Sequence, residues 1–303
     1  MSILAIILVL ISAFMHAGWN LLSKSQHPSS AFFLVASVAG ALLLSPVLVI
    51  SWDTIAHGIS SQVWLLVTLA GFFMALYYIA LAGAYRAGDI SIAYPIARSS
   101  PVIVVTIVTL FLGRGDQVST LCIVGIILVV GGCFLIPLKK FNDLRLKDYL
   151  NTTCTLALLA AIGTSGYSLL DDEALRILRT TPQITMGNTG ITLVYAFLES
   201  VMASIWLFLY VLATQKGRSE MKHLLSLNTK NAVLAGLAIQ ITYGIVLISM
   251  AFVNNVSYVV GFRQLSIPLG AALGILILKE KLYPPKLAGV SIMFMGLILL
   301  ALG

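Results

Sequence analysis

The chain has 303 residues, of which 59% are hydrophobic and 10% charged, with a formal charge of +7 and a mean hydropathy of +1.02. A soluble protein of this length could not bury so much apolar surface and still cover itself with polar groups, so soluble globular classes are excluded. Nearly uncharged runs of about 18 residues or more recur throughout; they are too long and too little alternating for barrel strands, and predict an all-α integral membrane protein.

The first run, near 2–22, ends in the polar cluster "HAGWNLLSK". It lacks a basic leader and runs directly into more membrane sequence, so it is read as a retained span and not a cleaved signal. Further spans are predicted near 30–50, 62–85, 90–112 and 119–137, separated by "SKSQHPSS", "SWDTIAHGIS", "RAGD" and "GRGDQ". After "LKKFNDLRLKDYLN" come 152–170, 188–214, 231–253, 257–278 and 286–302, with breaks at "DDEALRILRTTPQ", "QKGRSEMKHLLSLNTK", "NNVS" and "KEKLYPP". That makes ten transmembrane helices.

Thirteen Lys and Arg fall in the odd loops, and three (Arg114, Arg176 and Arg179) in the even ones. By the positive-inside rule the odd loops face the cytoplasm of a multi-pass cell (inner or plasma) membrane protein, and both termini lie outside. Cys122, Cys133 and Cys154 sit in or beside apolar runs without metal or redox spacing, and read as small core hydrophobes.

The chain repeats itself. At an offset of 148, "HAGWNLLSK" lies on "TSGYSLLDD", placing Trp19 on Tyr167 and Asn20 on Ser168. Three further matches follow in the same order at offsets up to 167: Tyr78 meets Tyr243, Pro101 meets Pro268, Gly125 meets Gly289 and Gly132 meets Gly296. Two five-helix halves result, 1–148 and 149–303. Five is odd, so the second half enters the membrane inverted, an architecture that places a site at the interface of the halves.

These features resemble the drug/metabolite transporter superfamily in its ten-helix EamA-type branch. The resemblance rests on the "GWN" end of helix one, the proline in helix four, and "LKEKLYPPKLAGVSIMFMGLILL" at 278–300 with its acidic Glu280 and Gly-rich last helix. It implies two EamA-like repeats and a transport function. It also implies cytoplasmic termini, against the charge count, and the first half carries "GRGD" where the acidic turn is expected.

Four ionisable residues lie at membrane depth: His16, Arg98, Glu199 and Arg263. Each costs at least ~2.5 kcal/mol there without a partner or water. Arg98 and Arg263 precede Pro101 and Pro268, near Ser99, Ser100 and Ser266. Their planar forks suit a carboxylate or phosphate, the other reading being structural pairing. Glu199 is either a proton-coupling carboxylate or the salt-bridge partner of an Arg. His16 is either a proton relay or a solvated helix tip. Trp19, Asn20, Tyr167 and Ser168 are candidates to face one another across a cavity, Trp19 and Tyr167 also being suited to interfacial anchoring. Tyr77, Tyr78, Tyr94, Tyr243 and Tyr258, with Gln240 and Gln264, supply ring faces and hydrogen-bonding groups for a pocket. Gly125, Gly131, Gly132, Gly289 and Gly296 read as close helix packing.

The expected function is secondary transport of a small polar metabolite, an amino acid or organic anion, by an exporter using alternating access. No nucleotide loop occurs, no cofactor or nucleic-acid partner is expected, and the remaining partners are substrate and membrane lipid. An alternative is a flippase for a phosphate-bearing lipid, held by the same arginines. A third class is a polytopic enzyme, for which "LLDDEALR" (Asp171, Asp172, Glu173) is the one acidic cluster, able to hold a divalent cation but read more simply as a solvated helix end.

Overall fold

The computed structural model describes residues 2–24, 29–87, 90–114, 119–135, 138–143, 152–227, 229–269 and 282–302. Among the described residues the chain is helical, without strands. Helix α1 is Ile3–Lys24, α2 Ser30–Leu44 and α3 Pro46–Ile50, the last two forming one membrane-length segment. Then follow α4 Ser61–Ala87, α5 Ile90–Thr109 and α6 Thr120–Leu135. Next come α7 Thr152–Thr180, α8 Asn188–Ala213, α9 Gln215–Leu227 and α10 Lys230–Ser249. The last are α11 Val256–Phe262 and α12 Pro284–Leu302.

Among the described residues, five helices are long and apolar enough to cross a membrane, with shorter apolar helices at Ile3–Gly18, Thr120–Leu135 and Pro284–Leu299. Polarity is arranged as lipid demands. Leu42, Phe111, Ile127 and Phe208 are exposed, whereas Ser168, Asp171, Glu199, Arg263 and Gln264 are buried. Backbone groups cannot hydrogen-bond to lipid, so helices that satisfy their own N–H and C=O are the economical solution.

Two expected breaks are helical instead. Helix α7 runs ten residues past its expected end at 170, carrying Asp171 into the helix interior with 0% exposure, so Asp171 is not part of a solvated cap. Glu173 and Arg176 stay at the surface as an i, i+3 pair with N–O separations of 2.5 and 3.0 Å. The loop expected at "QKGRSEMKHLLSL" is helix α9, packed on α2 and α8. Met221 and Leu224 pack against the core while Lys216, Arg218 and Lys222 remain exposed. Glu220 of α9 accepts from the Ser30 amide at 3.0 Å, from the Ser30 hydroxyl at 2.5 Å, and from Arg86 at 2.7 Å. One carboxylate thus caps α2 and ties down the end of α4.

Helix pairing follows the small residues. Helix α4 lies on α7 and α8, α10 on α1 and α2, and α6 on α12. A Cβ at Gly132 would strike Met293 and the Gly289 carbonyl oxygen, the latter at 2.6 Å, and one at Gly296 would meet the Gly125 carbonyl oxygen at 2.6 Å. Gly71 meets Ala203 N at 2.8 Å in the same sense, and Gly236 abuts the Ala36 backbone. These helices approach to backbone contact, which only glycine permits. Gly131 differs: nothing lies within 4 Å of it, so it plays no part in this packing. Cys122, Cys133 and Cys154 are buried and take part in no disulfide among the described residues.

Candidate functional site

Ordinary helical periodicity gathers the polar side chains. On α7, Tyr167, Ser168 and Asp171 share a face, being one turn apart. On α8, Tyr195 and Glu199 are also one turn apart, and all five side chains are buried. The Tyr195 hydroxyl donates to Asp171 Oδ1 at 2.6 Å, and the Tyr243 hydroxyl of α10 donates to Asp171 Oδ2. Glu199 lies within hydrogen-bonding reach of the same Asp171. The neighbour the fold gives Glu199 is therefore a second carboxyl.

Arg263 enters from the other side. Pro268 has no N–H for the Gln264 carbonyl four residues earlier, and its ring crowds that carbonyl. There the segment leaves α-geometry: α11 stops at Phe262, and Arg263–Leu265 form a 3₁₀ turn before helix resumes at 266–269. The turn buries Arg263 and Gln264. Arg263 Nη2 donates to the Tyr167 hydroxyl at 3.3 Å, and its guanidinium carbon sits 5.8 Å from the Tyr243 ring centre. It is close enough to act electrostatically on Asp171.

Aromatic rings link these groups across the bundle. Phe33 stacks on Tyr78 at 4.5 Å, Tyr78 meets Tyr77 at 5.1 Å, Tyr77 meets Tyr167 edge-on at 6.0 Å, and Tyr167 meets Tyr243 edge-on at 5.5 Å. Such contacts hold ring faces and edges in fixed orientations. Among the described residues, Ser168 Oγ, Glu199 Oε1, Gln264 Oε1 and Ser266 Oγ are buried with no hydrogen-bond partner. Native interiors rarely leave such atoms orphaned without a reason. Ser168 and Glu199 lie on the helices that carry Asp171 and Tyr195, and Gln264 and Ser266 in or beside the Arg263 turn, which marks these elements as ligand candidates.

The structure thus brings together Tyr77, Tyr78, Tyr167, Tyr243 and Arg263 through ring contacts and hydrogen bonds, and Glu199 with Asp171. Ser168 shares the buried face of Tyr167 and Asp171, and Gln264 follows Arg263 in the turn. His16 is 6% exposed, so it is not a solvated tip. Its Nδ1 lies 3.0 Å from the Ser12 carbonyl oxygen and 3.2 Å from the Ser12 hydroxyl. Ser12 Oγ in turn donates to the Thr242 carbonyl at 3.0 Å, joining α1 to α10. Gln240 is engaged elsewhere: its Oε1 accepts from Ser200 at 2.8 Å where α2, α8 and α10 meet. Tyr258 sits at the start of α6, its hydroxyl oxygen 3.4 Å from the Ser119 amide. The side chains of Trp19, Asn20, Tyr94, Arg98 and Ser99 lie outside the described residues.

Sequence reasoning missed Asp171 and Tyr195. Asp171 was hidden by the charges following it, and Tyr195 by an uninterrupted apolar run; the one available signal was the i, i+4 spacing of Tyr195 and Glu199.

Residues 3–138 match the family model of the EamA-like transporter family, bearing out the resemblance to the drug/metabolite transporter superfamily. No curated protein sequence matches the chain. Among the solved structures, a crystal structure of a protein aligns over 98% of this chain and 96% of its own, with a TM-score of 0.66 at 14% identity. Likeness at that identity shows the shared fold alone.

Proposed function

Since residues 3–138 carry EamA-like transporter sequence and the chain is a multi-pass membrane protein, we propose that it is a secondary transporter of small polar metabolites. Its cargo on this reading is an amino acid or organic anion, exported by alternating access of two inverted halves, 1–148 and 149–303.

The reciprocity of the helix contacts supports the two-half reading. Counting α2–α3 as one segment and omitting α9, the pairing of α4 with α7 is answered five segments on by α10 with α1. Likewise α4 with α8 is answered by α10 with α2. The Gly132–Gly289 contact is answered by Gly296–Gly125, which are the same positions under the sequence repeat. Reciprocal contacts of this kind are what a pseudo-twofold axis produces.

One observation carries the substrate class: a buried guanidinium, Arg263, against Tyr167 and Tyr243, with the Tyr243 hydroxyl bonded to the buried acid Asp171. Arg offers a planar fork to a carboxylate, and the acids and ring faces suit an ammonium. A zwitterion satisfies both ends, which favours the amino acid over a simple anion. The cytoplasmic placement of the odd loops belongs to the same proposal, and Glu220 joins three of them: Ser30 after loop one, Arg86 in loop three and α9 in loop seven.

The test is a thermal-shift screen of the detergent-solubilised protein against amino acids, organic acids, phosphates, cations and short-chain phospholipids. Ligand at ~100 times its dissociation constant stabilises a fold by about 2.7 kcal/mol. Stabilisation by zwitterions or anions, lost in a folded Arg263→Ala variant, is the expected result. A response to cations or phospholipids alone would overturn the substrate assignment.

A further inference from the structure

We propose that Asp171 and Glu199 form a dyad holding a single proton, carried by Glu199, and that this dyad is the proton-binding site of the transport cycle. The second half of that statement rests on the transporter reading above; the first half does not.

Hydrogen-bond chemistry locates the proton. Carboxylates only accept, so two carboxyls within hydrogen-bonding reach need one proton between them. Two tyrosine hydroxyls donate to Asp171, to Oδ1 from Tyr195 and to Oδ2 from Tyr243, and so favour Asp171 as the ionised member of the pair. A buried neutral carboxyl costs far less in an apolar interior than a buried carboxylate, so the acid without two tyrosine donors is the one that keeps the proton. Asp171 then stands as a carboxylate receiving three O–H donors, from Tyr195, Tyr243 and Glu199.

Among the described residues, the titratable and charged groups around the dyad are few. They are Tyr167 on α7, Tyr195 on α8, Tyr243 on α10 and Arg263 on the α11 turn, with Tyr77 of α4 touching Tyr167. His16 on α1 is bound back to Ser12, and the side chain of Arg98 on α5 lies outside the described residues. Loss of the Glu199 proton to water leaves two adjoining carboxylates with one guanidinium, Arg263, near them, so a second cation is favoured there. The ammonium of a zwitterionic substrate supplies one. Substrate binding and proton release therefore drive each other at the same atoms, and reprotonation of Glu199 expels the ammonium.

Difference infrared spectroscopy of the full-length protein in lipid nanodiscs, titrated from acid to alkaline pH, tests the dyad without a substrate. The expected result is the C=O stretch of a protonated, poorly hydrated carboxyl that is lost in Glu199→Gln and kept in Asp172→Asn. Tyr195→Phe removes one donor from Asp171 and is expected to shift the band without abolishing it, which also guards against a Glu199→Gln variant that fails to fold. Absence of the band in the wild type, or its survival in Glu199→Gln, would overturn the dyad. Coupling is read separately, from a pH dye in weak buffer as an equimolar amino-acid mixture is added. About one proton released per ligand bound, and none from Glu199→Gln, supports coupling; binding without release would overturn it. If no amino acid binds at all, the substrate assignment fails while the infrared result still decides the dyad.

Discussion

The Tyr195 hydroxyl on α8 donates to Asp171 on α7 across 2.6 Å, with both side chains at 0% exposure. This contact is one of those that join the two helices carrying the buried acids, another being Arg179 Nη2 to Thr192 at 3.2 Å. Tyr195→Phe keeps the ring and deletes the donor, leaving a buried carboxylate short of a partner. The expected loss is about 1–3 kcal/mol of stability, seen as a lower unfolding temperature in detergent. An unchanged melting temperature would mean that the hydroxyl contributes nothing to holding α7 against α8.

At the seam between α6 and α12, Gly132→Leu forces a side chain against Met293 and the Gly289 carbonyl oxygen. Backbone cannot step aside as a flexible side chain can, so the helices must part, at a cost of about 1–3 kcal/mol or more. One residue away, Gly131→Ala meets open space and gains up to ~1 kcal/mol of helix propensity. Melting temperatures that moved the same way for both variants would contradict the packing described.

Glu220→Ala removes the acceptor of Ser30 and Arg86 together. Arg86 is one-third exposed, so solvent screens the ion pair and the helix-cap contribution dominates. The expected destabilisation is about 1–2 kcal/mol in all. Glu220→Gln, which keeps an acceptor oxygen for Ser30, should recover part of it. Raising the salt concentration should narrow the gap between wild type and Glu220→Gln, because only the Arg86 pairing is screened.

Sidedness is checked by labelling intact cells with a membrane-impermeant maleimide. The native thiols Cys122, Cys133 and Cys154 are all buried, so they provide a quiet background. Gln183→Cys, exposed between α7 and α8, should react from outside, and Lys222→Cys on α9 only after permeabilisation. The reverse pattern would place the termini in the cytoplasm and discard the charge count as a guide.

Much of the architecture was legible because lipid imposes a simple rule: long uncharged runs become helices, and charges fall between them. The same rule concealed the centre of the site. Asp171 begins a charged stretch that reads as a loop, yet it can stay inside α7 because Tyr195 and Tyr243 arrive from helices 24 and 72 residues further along to bind it. No local pattern encodes partners at that separation. Arg263 was recognisable, since a lone cation in an apolar run is conspicuous and Pro268 marks a break nearby. Its neighbours Tyr167 and Tyr243 could be nominated from the repeat, but their ring geometry depends on how α7, α10 and α11 pack. Helix α9 was missed because its few apolar residues, Met221 and Leu224 among them, are scattered through charge, and their packing on the core completes the helix.

The glycine seam also bears on how the protein is made. Helix α6 ends at Leu135 and α12 begins at Pro284, so roughly 150 residues are synthesised between the two sides of that interface. Throughout that interval α6 sits in the bilayer with its bare backbone ridge facing lipid chains that cannot interlock with it. Newly inserted chains therefore pass through a stage in which the amino-terminal part is threaded but not yet locked.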